Sequence, residues 1–192
     1  MAKVHIETQK LVFNDVFKIE EVRLQYERFD GKLSRPIRRL NFMRGDSVAA
    51  VVLNEDTQRI LLTNQFKYPT FEKGPGWISE IVAGVVERDE LPEQAIRREI
   101  LEELGYRARD LTYVSTFYVS PGGTSERIIL YSTRVRNADK VQAGGGLDSE
   151  DEDIKLVEIP LNDLNNVLQR EEIQDAKTLV GLMWLMNESK DR

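Results

Sequence analysis

Cysteine is absent from the 192-residue chain, and histidine occurs once, as His5 near the start. The first absence removes thiol nucleophiles, disulfides and zinc–thiolate sites together, and the second leaves a Ser-His-Asp relay without a general base beside any motif. Positive charge is in the minority, with 27 Lys and Arg against 33 Asp and Glu and a net charge of −6, and no basic block breaks the pattern. A surface that tracks a phosphate backbone is therefore not expected, and nucleic acid is excluded as a partner. No apolar run approaches the length of a membrane span, and the opening MAKVHIETQK has no apolar signal core. The expected location is the cytoplasm, with no membrane partner. Whatever chemistry the chain performs falls to carboxylates, other oxygen ligands and metal.

What the chain does have is acid in one place. Pro92 suits the first turn of a helix, and Gly105 is the usual residue just past the end, so the sequence predicts a helix over 92–104. At about 100° per residue, Ile96, Ile100 and Leu104 form a buried stripe, and Glu103, Glu99 and Glu102 fan out from one edge of it. Like charges at these spacings repel by roughly 0.2–0.5 kcal/mol per pair, and by more where water is thinned. Arg97 and Arg98 offer partial relief. A hard divalent cation, Mg²⁺ with Mn²⁺ as the alternative, answers the repulsion better, while a solvated acidic face is the plainer reading of the same residues.

The spacing Gly84-x5-Glu90-x7-Arg98-Glu99-Ile100-x-Glu102-Glu103-x-Gly105-Tyr106 resembles the signature of the Nudix hydrolases at every fixed position. Only Tyr106 departs mildly, being aromatic where an aliphatic residue is more usual. The resemblance extends over most of the chain from about Leu11 onward. It implies an α/β fold, a Nudix-type α/β/α sandwich around a mixed β-sheet, over residues 46–192, with an N-terminal β-hairpin extension over 1–45. A hairpin that thin cannot form its own core, so it is expected to pack across a partner subunit in a homodimer.

The rest of the chain is read in the same two ways. Val16–Phe29 and Lys32–Arg44 flank the turn Asp30-Gly31 as a hairpin, and Ser47–Leu53 with Arg59–Gln65 form a second around Asn54-Glu55-Asp56. The basic residues Arg35, Arg38, Arg39 and Arg44 serve either edge protection or a phosphorylated ligand. Trp77–Val86 leads as a strand into the signature loop, with Trp77 read as packing. Leu111–Val119, Arg127–Val135 and Ile154–Ile159 read as strands by β-branched and aromatic content. Two helices close the chain, over 160–169 and 175–187, the latter with Leu179, Leu182, Met183 and Met186 as its buried side.

Three further segments resemble the GDP-mannose and ADP-ribose pyrophosphatases within the family: Gln65-Phe66-Lys67, with Lys in place of Arg; Ser120-Pro121-Gly122-Gly123 followed by Glu126; and the loop from Ala143 through Gly144-Gly145-Gly146 to Glu150-Asp151-Glu152-Asp153. Asp175-Ala176-Lys177-Thr178 is similar to an Asp-Gly-Lys-Thr of the same group. Carried over, the resemblance implies metal binding by the Ala83 carbonyl, Glu99, Glu102, Glu103 and Glu152. It implies a catalytic part for Glu152, Glu150 and Glu103, with Glu152 the first choice for activating water. Arg38, Arg39, Lys67, Gly84, Val85, Glu126, Asp151 and Lys177 become the expected substrate contacts. The implied substrate is a nucleoside diphosphate sugar, GDP-mannose giving GMP and mannose 1-phosphate. ADP-ribose hydrolysis is the alternative, and a non-catalytic nucleotide sensor on the same fold is a second.

Overall fold

Strand β4 (Asp46–Asn54) is buried without interruption from Ser47 to Asn54, because both of its faces are covered. Ala49, Val51 and Leu53 enter one core with Ile60, Leu62, Leu130, Leu182 and Leu185, whereas Val48, Ala50 and Val52 enter another with Ile96, Ile100 and Leu104. The period-two alternation of one strand thus divides the interior into two layers.

This is a computed structural model; it describes residues 3–147, 149 and 151–188, in two units. The second unit, from Asp46 on apart from Tyr118–Arg127, is built on a mixed seven-stranded sheet. β5 (Arg59–Phe66), β6 (Trp77–Glu80), β7 (Val82–Val85), β8 (Thr112–Tyr118), β9 (Arg127–Val135) and β10 (Lys155–Pro160) complete it, in the order β10-β5-β4-β9-β8, with β6 on β5 and β7 on β4. Beyond the four-residue helix α1 (Tyr68–Phe71), one face carries α2 (Pro92–Glu99) and the other carries α3 (Leu164–Val167) and α4 (Ala176–Glu188). This is the expected sandwich. Gly181 lets α4 lie close on β4: a Cβ there would stand 2.8 Å from Val51 Cγ2.

The sequence reading is corrected at four places. Trp77–Val86 is two strands: the chain leaves β5 after Glu80 and joins β4 from Val82 on, a change of partner that an unbroken apolar run does not reveal. The helix expected over 160–169 shrinks to a 3₁₀ turn, Leu161–Asp163, followed by α3, because Asp163 turns its carboxylate to Asn166 Nδ2 and Arg170 Nη2. On α4 the fully buried side chains are Thr178, Leu182 and Leu185, with Gly181 between them, while Met183 is exposed; the small residues rotate the contact stripe. The fourth correction lies in the first unit.

That unit, up to Gly45 with Tyr118–Arg127, holds a three-stranded antiparallel sheet of β1 (Val4–Asn14), β2 (Lys18–Tyr26) and β3 (Ile37–Met43). The reading had only the last two. β1 is exposed along its whole length, so no burial pattern marked it; pairing with β2 makes it a strand.

Candidate active site

Helix α2 starts as its sequence suggests, with Pro92 in the first turn and the Leu91 amide donating to Gln94 Oε1 at 3.0 Å. Ile96, Ile100 and Leu104 are completely buried, each worth roughly 1.5–3 kcal/mol. The helix then widens into a π turn, Ile100–Leu104, and stops at Gly105 in the left-handed region at φ +79°. This turn carries Glu102 and Glu103.

Arg98 organises three of the acids. Its Nε and Nη2 donate to Glu90 at 3.1 and 3.2 Å, and its Nη1 donates to Glu99 Oε1 at 2.7 Å and to Glu102 Oε2 at 3.1 Å. Nη2 also reaches the Val85 carbonyl, tying the helix to the end of β7 at 3.3 Å. The bond from Arg98 holds the Glu90 carboxyl below the usual carboxylate range, and in return Glu90 first, then Glu99 and Glu102, push the guanidinium pKa further up. Glu99 moves the other way: burial first, with the charges of Glu102 and Glu152 added, raises its carboxyl against the pull of Arg98. Its carboxylate lies against the backbone of Gly84, where a Cβ would meet Glu99 Oε1 at 1.8 Å. The neighbouring Ala83 sits in β7 opposite Ala49.

Glu103 has no such relief. It is 6% exposed, and among the described residues its Oε2 is buried without a hydrogen-bond partner. Burial, then the charges of Glu99 and Glu152, push its carboxyl up to about 8.

The glycine loop brings Glu152 to this group by backbone contacts. Gly145 N–H donates to the Glu103 carbonyl at 2.9 Å and Gly146 N–H to that of Glu102 at 3.1 Å, while Gln142 Nε2 donates to the Leu101 carbonyl at 2.6 Å. A Cβ on Gly144 would lie 2.6 Å from the Glu103 carbonyl oxygen, so only glycine permits this approach. Beyond the clamp, the Leu147 amide donates to Glu152 Oε2 at 3.0 Å. Asp151 is exposed at φ +54°, and Glu150, the second choice for a base, lies outside the described residues.

The remaining expected contacts divide. Lys67 stands 3.8 Å from Glu80 on this side of the second unit, and both bear electrostatically on Glu103. Lys177, expected as a substrate contact, is largely enclosed and stands 3.0 Å from both Glu80 Oε1 and Asp175 Oδ1. Arg38, Arg39 and Glu126 belong to the first unit, where Arg38 Nε donates to Glu21 at 2.6 Å, Arg39 Nη1 donates to the Arg38 carbonyl at 3.0 Å and Glu126 lies 3.8 Å from Arg44. Trp77 is half exposed and packs its ring edge on Phe66. The sequence reading assigned no role to Glu80 or Asp175; Glu80 was legible only as a charge inside an apolar strand. A cavity of about 570 Å³ bordered by Leu53, Arg109, Arg134 and Trp184 contains none of the acids described above.

Among the described residues, no three acidic side chains already stand close enough to cage an ion. The donor set nevertheless suits a hard divalent cation: the candidate ligands are all oxygens, and among the described residues the buried Glu103 Oε2 has no hydrogen-bond partner. No helix among the described residues is long and apolar enough to cross a membrane.

Comparison with known proteins agrees with this layout. A family model described as "NUDIX domain" matches residues 43–180. A protein named GDP-mannose pyrophosphatase from Enterobacter sp. (strain 638) is 31% identical over 185 residues, which cover 95% of each chain. One of the same name from Cronobacter sakazakii (strain ATCC BAA-894) is 32% identical over 184 residues, covering 95% of this chain and 94% of that protein. The solved structure titled "Crystal structure of ADP compounds hydrolase" superposes with a TM-score of 0.75 over 98% of this chain and 95% of that one, at 22% identity, and shows a shared fold.

Proposed function

This chain belongs to the Nudix hydrolase family, and from that premise we propose that it cleaves the pyrophosphate of a nucleoside diphosphate sugar, GDP-mannose to GMP and mannose 1-phosphate. The observation that carries the site assignment is the buried, partnerless carboxylate oxygen of Glu103 beside Glu99 and Glu152. The substrate assignment is supported by the relatives named GDP-mannose pyrophosphatase and by the glycine loop.

Glu99 and Glu103, with the Ala83 carbonyl, Glu102 and Glu152, would hold Mg²⁺ or Mn²⁺. Bound there, the ion would neutralise charge on the phosphoryl oxygens as the anhydride bond breaks. Glu152 orients the attacking water and accepts its proton; Glu150 is the second candidate. Arg98 holds Glu99 and Glu102 in place and binds no substrate. Gly84 leaves room for Glu99, and Val85 begins the turn into the signature loop. Lys67 offers an ammonium to a phosphate oxygen, without the planar fork of arginine. Asp151, in the glycine loop, is a further proposed contact with the substrate.

The test is phosphate release in a coupled phosphatase assay over a panel of nucleotide sugars with saturating Mg²⁺. GDP-mannose should head the panel. Preferential hydrolysis of ADP-ribose would favour the alternative that the Ser120-Pro121-Gly122-Gly123 turn suggests, and binding without any release would mark a nucleotide sensor.

We also propose that the first unit pairs with a second copy of the chain. Val4, Leu11, Phe13 and Phe17 are each about half exposed there, apolar surface that a second copy would cover. Sedimentation should show a dimer at micromolar concentration; a monomer would contradict the pairing.

A further inference from the structure

Two lysines from distant parts of the chain converge on one carboxylate. Glu80, the last residue of β6, accepts from Lys177 Nζ at 3.0 Å on Oε1, and Lys67 Nζ stands 3.8 Å from its Oε2. Lys177 also lies 3.0 Å from Asp175 Oδ1. The other oxygen of Asp175 accepts from the amide and the hydroxyl of Thr178 at 2.9 and 2.7 Å. Thr178 Oγ1 in turn accepts from the Ile81 amide at 3.0 Å, at the residue where the chain passes from β6 to β7. The first turn of α4 therefore grips both the side chain of Glu80 and the backbone directly after it.

The two lysines are held differently. Lys177, with 13% of its side chain exposed, is enclosed between two carboxylates, which raise its pKa although burial alone would lower it. Lys67 is 41% exposed and stands beyond hydrogen-bond distance from Glu80. Lys177 is fixed between its two carboxylates, while among the described residues no side-chain hydrogen bond holds Lys67, whose ammonium can donate to an incoming anion.

Building on the function proposed above, we infer that Glu80 is a positioning residue: anchored by Lys177, it holds Lys67 preset toward the anionic part of the substrate, and Lys67 exchanges Glu80 for a phosphate oxygen on binding. Preset donors save the cost of ordering a long side chain at the moment of association. Glu80→Gln keeps the shape and removes the charge. Its KM for the hydrolysed nucleotide sugar should rise about tenfold, with kcat changed by less than about threefold, the mark of lost binding and not of lost chemistry. Lys67→Met should raise KM similarly, and the double variant should be no worse than Lys67→Met alone, since Glu80 acts through Lys67. An unchanged KM in either single variant, or additive effects in the double, overturns the inference.

Acetic anhydride labelling read by mass spectrometry tests the same arrangement without turnover. In Glu80→Gln both lysines should label several-fold faster, and in Lys67→Met the rate at Lys177 should stay at the wild-type value. Unchanged rates in folded Glu80→Gln overturn the inference, and where that variant does not fold, the KM and Lys177 labelling of Lys67→Met decide it. A wild-type chain inert on every nucleotide sugar defeats the proposed function instead, and leaves the labelling to decide the role of Glu80.

Discussion

Replacing Glu103 with Gln is expected to lower turnover about a thousandfold under saturating Mg²⁺, the scale seen when a principal electrostatic group is lost from an active site. The amide keeps the size of the side chain and forfeits the charge. Near-normal turnover would contradict the metal role. The same variant carries a signature in stability that needs no substrate. The wild-type carboxyl is raised from 4.5 to about 8, so between those values the folded chain holds a proton that the unfolded chain has released. Stability contributed by this group is complete below pH 4.5 and is lost as pH rises toward 8, by at most about 5 kcal/mol before relaxation. Melting in EDTA should therefore show the wild type weakening from pH 5 to pH 8, with Glu103→Gln lacking that part of the slope. Added Mg²⁺ at pH 8 should restore the wild type and leave the variant nearly unmoved. Equal slopes for the two proteins would contradict the burial argument.

Gly84→Ala is expected to cost about a hundredfold in kcat/KM, from the addition of one methyl group. An added Cβ would lie 1.8 Å from Glu99 Oε1 and 2.1 Å from its Cδ, so the carboxylate must leave its place beside Arg98. The obstruction is the end of a side chain that can swing away, and the fold should survive with a loss of about 1–3 kcal/mol. Activity and stability thus separate: a Mg²⁺ titration of the rate should show weakened apparent affinity while the melting temperature falls by only a few degrees. A variant with wild-type Mg²⁺ dependence would show that the position of Glu99 is immaterial.

How much of this could be read beforehand depends on where the determining contacts lie along the chain. Helix α2 was legible because its start at Pro92, its stop at Gly105 and its apolar spacing are all local. The central strands declared themselves by composition, since burial on both faces demands an unbroken apolar run. β1 did not, because an exposed strand is held by its neighbour's backbone and needs no pattern of its own. The break at Ile81 was hidden for a related reason: the amide that leaves the ladder is satisfied by Thr178, 97 positions away. The resemblance of Asp175-Ala176-Lys177-Thr178 singled out Lys177 but could not show its partner Glu80, equally distant along the chain. The acids were found by spacing, but the different state of Glu103 required knowing which of them lies under the glycine loop.

That loop is moored by main-chain atoms at Gly145 and Gly146, and its seat is a run of carbonyls at the end of a widened helical turn. Such an attachment is indifferent to the side chains that follow it. A substitution at an exposed position beyond it, such as Asp153, should therefore leave the loop's footing on the helix end unchanged, and with it the proposed place of Glu152.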